Sequence, residues 1–253
     1  MIYSKKNNFL FIKGMKVAGT SVEMALAAVC GSDDIIAPIT RIDEWERLRS
    51  GGRGAQNYSH EPEKEQVYLA KLRSSELSEI SDLKYPKPRF RSHMSLQKFI
   101  GRYGSLPTDR IFCVERSPYA KIISSANMRG RLGSYKSDGR PMDVDSERLR
   151  QTLENMIERK FRTSKDWGCY NIDQYRGVDG AVRIRALRYE ALEQDFAGLM
   201  TEYGISPAPP LPHAKSGAKS NDIDPREFFT RDQLDKINSY FAEEFDTFGY
   251  ARL

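Results

Sequence analysis

Residues 9–29 read FLFIKGMKVAGTSVEMALAAV and divide into a strand, a tight loop and a helix. Phe9, Leu10, Phe11 and Ile12 form an unbroken apolar run of the kind buried in a parallel sheet, whereas Val22, Ala25, Leu26 and Val29 repeat at helical spacing. Gly14 and Gly19 bound the loop between them and can take backbone angles closed to other residues. Loop amides can therefore turn toward one point, where the N-terminal end of the next helix adds its positive dipole. The result is an anion site in outline. Thr20 and Glu23 also have the T-x-x-E spacing of a capping box, which would start a helix without binding anything.

The glycine spacing is that of the nucleotide-binding Walker loop, GxxxxGK[ST], with Ser21 at the hydroxyl position. Thr20 stands where that loop has its lysine, and the loop's own cation is Lys16. An ATP-hydrolysing reading thus loses its central residue. A second strand-turn-helix follows at residues 111–125, IFCVERSPYAKIISS. There Ile111 to Val114 are apolar, Ser117 and Pro118 suit a cap and a first helical position, and Ile122 and Ile123 give the helix an inner face.

The pattern K-x-A-G-T-S at 16–21, between a strand and a helix, resembles the phosphosulfate-binding loop of sulfotransferases, enzymes that use 3'-phosphoadenosine 5'-phosphosulfate (PAPS) as donor. Arg116, Pro118 and Ser124 match the spacing of that family's second motif, and Arg188, Tyr189, Glu190 and Leu192 match a third; Phe248, Gly249 and Tyr250 are typical of its close. Met15 and Glu115 depart from the pattern, standing where a proline and an apolar residue are usual, and 35–88 has no counterpart in it.

The resemblance implies a single α/β domain spanning 1–253, with three layers and a mostly parallel central sheet flanked by helices, as in nucleotide kinases. It implies that Ala18, Gly19, Thr20 and Ser21 cradle the 5'-phosphosulfate and that Lys16 neutralises the bridging oxygen as the S–O bond breaks. It further implies that Arg116 and Ser124 hold the 3'-phosphate, that Arg188 joins the nucleotide-binding set, and that a loop carrying Lys215, Ser216 and Lys219 closes over the nucleotide. No metal is required in this family. The acceptor, a carbohydrate or small metabolite with a hydroxyl or amine, is left open. A histidine ahead of the R-x-P turn makes His93, in RSHMS, the candidate general base, since its pKa lies near neutrality. Two other readings keep the same loops: a magnesium-dependent kinase, and an anion-binding protein without turnover.

Composition bounds these readings. A chain of 253 residues is long enough for a large core, and its net charge of +5 favours anionic partners. The 40 basic residues are mixed with 35 acidic ones and no nucleic-acid motif is present, which argues against nucleic acid. Cys30, Cys113 and Cys169 are odd in number and lack metal spacing, so free thiols in a reducing compartment are expected. No apolar stretch reaches the length of a signal peptide or a membrane span, which gives a cytoplasmic expectation.

Along the chain, 35–88 is polar and punctuated by Gly51, Gly52, Gly54, Pro86 and Pro88, and reads as a helical and loop insertion, either over the mouth of the site or as a surface excursion. Helices are expected over 89–103, 147–161, 192–203 and from the Thr230/Gln233 capping box through Phe245, with a strand over 182–187. Loops are expected over 129–143, a candidate acceptor lid, and over 207–222.

Overall fold

The computed structural model describes residues 1–131, 145–163, 168–212 and 224–253. In chain order its elements are β1 (Ile2–Ser4), β2 (Phe9–Phe11), α1 (Gly19–Val29), β3 (Ile35–Ile36), α2 (Arg41–Arg49), α3 (Pro62–Ser74), α4 (Leu96–Tyr103), β4 (Ile111–Glu115), α5 (Pro118–Arg131), α6 (Ser146–Thr163), α7 (Ile172–Tyr175), β5 (Arg185–Arg188), α8 (Leu192–Glu202), α9 (Arg231–Tyr240) and α10 (Ala242–Phe248). The strands form one sheet in the order β3-β1-β2-β4-β5.

Two compact units divide the chain. The first comprises Met1–Gly14, Ala18–Val114 and the described part of 173–214; the second comprises Met15–Val17 and the described parts of 115–172 and 215–253. The sheet belongs to the first unit and is mixed, which corrects the expectation of a mostly parallel one. β2 pairs with β4 in parallel, Leu10 opposite Ile111 and Phe11 opposite Phe112. β1, however, runs antiparallel to both β2 and β3, with Tyr3 opposite Leu10 and Ile35. The reason is local: residues 5–8, KKNN, make a tight turn with Asn8 at φ 52, and so short a connection can only return the chain antiparallel.

Alternation along the strands puts Phe9, Phe11 and Phe112 on one face of the sheet and Tyr3 and Leu10 on the other. Tyr203, just past α8, stacks on Phe9 with centroids 6.2 Å apart, while Tyr3 meets Phe99 of α4 edge-on at 5.8 Å. Both faces are thus covered by helical residues. The stretch 35–88 does not begin as an insertion, since Ile35 and Ile36 are the outer strand of the sheet; α2, α3 and a 3₁₀ turn at Leu77–Asp82 follow. The helix expected over 89–103 is only α4, started by Ser95, whose hydroxyl accepts from the Lys98 amide; His93 therefore lies in the turn before it. The strand expected over 182–187 forms instead at Arg185–Arg188, with Val182 in an isolated bridge to Arg176.

In the second unit, α5 supplies Ile122, Ile123 and Ala126, α6 supplies Leu149, Leu153, Met156 and Ile157, and α9 supplies Leu234 and Ile237 to one apolar core, completed by Phe241 and Phe245. The Thr230–Gln233 capping box is formed at α9, but the expected last helix is broken at Phe241 into α9 and α10. α5 continues through Arg131, so the start of the expected lid is helical; the remainder of 129–143, and Lys215, Ser216 and Lys219, lie outside the described residues.

Candidate functional site

In the first unit, Lys13 takes a position that the sequence reading did not assign. It is buried beneath the start of α1, with Nζ donating to Thr20 Oγ1 at 3.0 Å and to Glu23 Oε2 at 2.6 Å. Gly19 is a glycine for this reason: a Cβ there would lie 2.6 Å from Cγ of Lys13. No capping box forms, because Glu23 is turned inward to Lys13 and to the Met1 ammonium; the residue preceding the helix is Ala18, left-handed at φ 58. Burial by itself raises the Glu23 pKa, but the charges and hydrogen bonds of Lys13 and Met1 outweigh it and lower the carboxyl to about 2.

Of the cradle residues, Ser21 donates its amide to Ala18 O at 3.0 Å. The amides of Gly19 and Thr20, as the first two of α1, have no acceptor within their own helix. Thr20 Oγ1, accepting from Lys13, keeps its proton for donation outward. α1 and α5, like α4, have no acidic residue in the first turn, whereas α2, α3, α6, α7, α8, α9 and α10 each have at least one. The N-terminal dipoles of α1 and α5 are therefore not offset by their own side chains.

His93 also belongs to the first unit. Its Nδ1 lies 3.3 Å from Lys13 O, which as a pure acceptor fixes the proton on Nδ1 and leaves Nε2 as the basic nitrogen. Desolvation of the ring, then the positive charges of Lys13 and Met1, lower its pKa to about 4, which corrects the near-neutral value on which its choice as base rested. Arg188 is exposed at the end of β5, its amide bonded to Asp195 Oδ2 at 2.9 Å. His60, exposed before α3, is not brought near these groups by any bond described; His213 lies outside the described residues.

In the second unit, Lys16 is half-buried and left-handed at φ 64, with Nζ 3.4 Å from Met128 Sδ. Arg116 is 3% exposed and Ser124 half-buried on α5. Glu115, the departure that set a carboxylate beside Arg116, is committed inward. Its side chain accepts from Lys121 Nζ at 2.9 Å, from Asn171 Nδ2 at 3.2 and 3.3 Å, and from the backbone amide of Arg116 at 2.9 Å. Lys121 also pairs with Glu244 at 2.6 Å, and Tyr250 donates its hydroxyl to the Glu115 carbonyl at 2.9 Å. Burial alone lowers the Lys121 pKa, but the two carboxylates outweigh it and raise the group; burial pushes Glu244 up to about 7 against the pull of Lys121.

Asn171, Lys121 and Glu244 went unrecognised in the sequence. Lys121 gave a faint signal, as a cation beside Ile122 and Ile123 on the inner face of α5.

A groove of about 430 Å³ sits at the other end of β4 from Glu115, lined by Asp109, Arg110, Arg183, Arg185, Glu202 and Tyr203 among others. Arg183 and Arg185 are already paired with Asp179 and Glu202, and in open α/β sheets ligands bind at the carboxyl ends of strands, so the groove is the weaker candidate. Among the described residues no helix is long and apolar enough to cross a membrane, and no group of three or more His, Cys, Asp or Glu side chains is placed to hold a metal ion. No family model, curated protein or solved structure matches the chain.

Proposed function

We propose that the chain transfers the sulfuryl group of PAPS to a hydroxyl or amine of a carbohydrate or small-metabolite acceptor. The observation that carries this reading is the parallel pairing of β2 with β4, Phe11 opposite Phe112. Two neighbouring strands end in the same direction, and each leads through a turn bearing a cation, Lys16 or Arg116, into a helix whose first turn has no acidic residue. A donor with phosphate at both ends needs two such anion sites.

In this reading the amides of Gly19 and Thr20, with the hydroxyls of Thr20 and Ser21, hold the 5'-phosphosulfate, and Ala18 shapes their approach. Arg116 and Ser124 take the 3'-phosphate, a guanidinium giving a charged bidentate contact and a serine one further bond. Arg188 stands with the nucleotide set. The acceptor oxygen or nitrogen forms its bond to sulfur as the bond from sulfur to the bridging oxygen breaks. The electron pair stays on adenosine 3',5'-bisphosphate, where Lys16 meets the growing charge, and the acceptor proton goes to His93 Nε2. Positioning and electrostatics supply the rate enhancement.

The test is binding of the bisphosphate product without metal. At a hundredfold excess over its dissociation constant it stabilises the protein by about 2.7 kcal/mol, read as a rise in melting temperature. Greater stabilisation by ATP with magnesium would replace this reading with a kinase. Radiolabelled donor incubated with fractionated cell extract then identifies the acceptor.

A further inference from the structure

We propose that Asn171 is a positioning residue that sets the geometry of Lys16, an inference that rests on the sulfuryl-transfer reading. Every contact involved lies within the second unit. Asn171 is fully buried. Its Oδ1 accepts the Met15 amide at 2.7 Å and its Nδ2 donates to Met15 O at 3.1 Å, so one side-chain amide closes on both polar groups of a single residue. The same Nδ2 lies 3.2 and 3.3 Å from the two oxygens of Glu115, the residue before Arg116. The backbone is fastened too, since Glu244 Oε1 accepts the amides of Asn171 and Ile172, the latter at 3.2 Å.

The Met15 carbonyl belongs to the peptide plane that joins Met15 to Lys16. A donor fixed on that oxygen, with an acceptor fixed on the preceding amide, holds the plane against rotation. Lys16 needs such a hold, because a non-glycine residue at φ 64 persists only where its surroundings over-determine it. The direction in which the ammonium leaves the backbone follows from that plane, and a small misplacement of a charged group at a reacting centre costs rate steeply. Only a primary amide of this length fits the position. Aspartate would turn an acceptor toward the Met15 carbonyl and the Glu115 carboxylate, leucine has no polar atoms, and glutamine is one methylene too long. Asn171 touches no reacting atom; it acts through Lys16.

Transfer of label from radiolabelled PAPS to the acceptor fraction, measured for the wild type, Asn171→Asp, Lys16→Ala and the double variant, tests this. Asn171→Asp lowers turnover by about tenfold or more at neutral pH while changing the bisphosphate dissociation constant by less than about threefold, and part of the loss is recovered at acidic pH, where a proton on the new carboxyl restores a donor. Added to Lys16→Ala, the same substitution lowers turnover by no more than about twofold. Equal losses in both backgrounds, or no loss in either, overturn the inference. If Asn171→Asp does not fold, amide hydrogen exchange on the wild type decides: protection of Met15 comparable to the core of α5 supports the clamp, and exchange at the rate of an open loop overturns it. A wild type that neither binds the bisphosphate nor transfers label removes the sulfuryl-transfer reading and the inference with it, whereas an active wild type with additive variants removes the inference alone.

Discussion

In the first unit a lysine just past β2 reaches a carboxylate on the helix that follows, Lys13 to Glu23; in the second a carboxylate at the end of β4 reaches a lysine on its following helix, Glu115 to Lys121. Both pairs are buried, and each is unequal. Glu23 also serves the Met1 amino group, so two basic groups surround one carboxylate, while Lys121 also serves Glu244, so two carboxyl groups surround one ammonium. The first excess lies beneath the amides that open α1, and the second braces the strand end that precedes Arg116. Neither arrangement is a stability device in its own right, since buried pairs lose much of their attraction to desolvation. Their inequality fixes which partner each turn can least do without.

The largest expected effect tests that inequality. Lys121→Met leaves two buried carboxylates without their cation and destabilises the fold by about 3–5 kcal/mol in urea denaturation. Lys13→Met leaves Glu23 with the Met1 ammonium and costs less, about 2–3 kcal/mol for lost bonds to charged groups. The reverse order would break the comparison.

The two turns also answer pH in opposite directions. Glu23 is lowered to about 2, so its stabilisation is present above the unfolded carboxyl value of about 4.3 and is lost as pH falls through the folded one. Glu244 is raised to about 7, so its stabilisation is full below about 4.3 and is lost as pH rises toward neutrality. Melting temperatures across that range should therefore flatten on the neutral side in Glu244→Gln and on the acid side in Glu23→Gln. Identical profiles for the two variants would remove the distinction.

A smaller effect belongs to the first turn alone. Gly19→Ala sets a methyl against the buried stem of Lys13, costing about 1–3 kcal/mol by overpacking. Pairing it with Lys13→Ala, which removes the stem the methyl meets, should recover part of that loss. No recovery would mean that the backbone of α1, and not the lysine, demands the glycine.

Much of this was legible in the sequence. The runs 9–12 and 111–114 announced two buried strands, and the spacing of Leu149, Leu153, Met156 and Ile157 announced one face of a helix, because continuous apolar runs and helical periodicity are local properties. The hairpin that makes the sheet mixed was not read, since three residues, Ile2 to Ser4, are too few to show alternation. Glu23 was misjudged because T-x-x-E describes a cap only when the glutamate faces its own helix start, and here a buried lysine ten residues earlier claims it. Asn171 was invisible for a different reason: it meets Met15 across 156 positions of chain, and nothing in its neighbours marks an asparagine as buried.

The smallest expected effect concerns the end of the chain, where Phe248, Gly249 and Tyr250 entered the sequence reading with no physical role attached. Gly249, left-handed at φ 66, ends α10 and turns the chain back, and the Tyr250 hydroxyl then donates to the carbonyl of Glu115 at 2.9 Å. The Glu115 strand end is thus held at both its carboxylate and its carbonyl. Tyr250→Phe keeps the ring packing and removes one neutral hydrogen bond, so the loss should be about 1 kcal/mol in urea denaturation. Because the carboxylate network stays intact, bisphosphate affinity should change by less than about twofold, whereas a loss approaching that of Lys13→Met would show that the second turn is hung from its carbonyl more than from its charges.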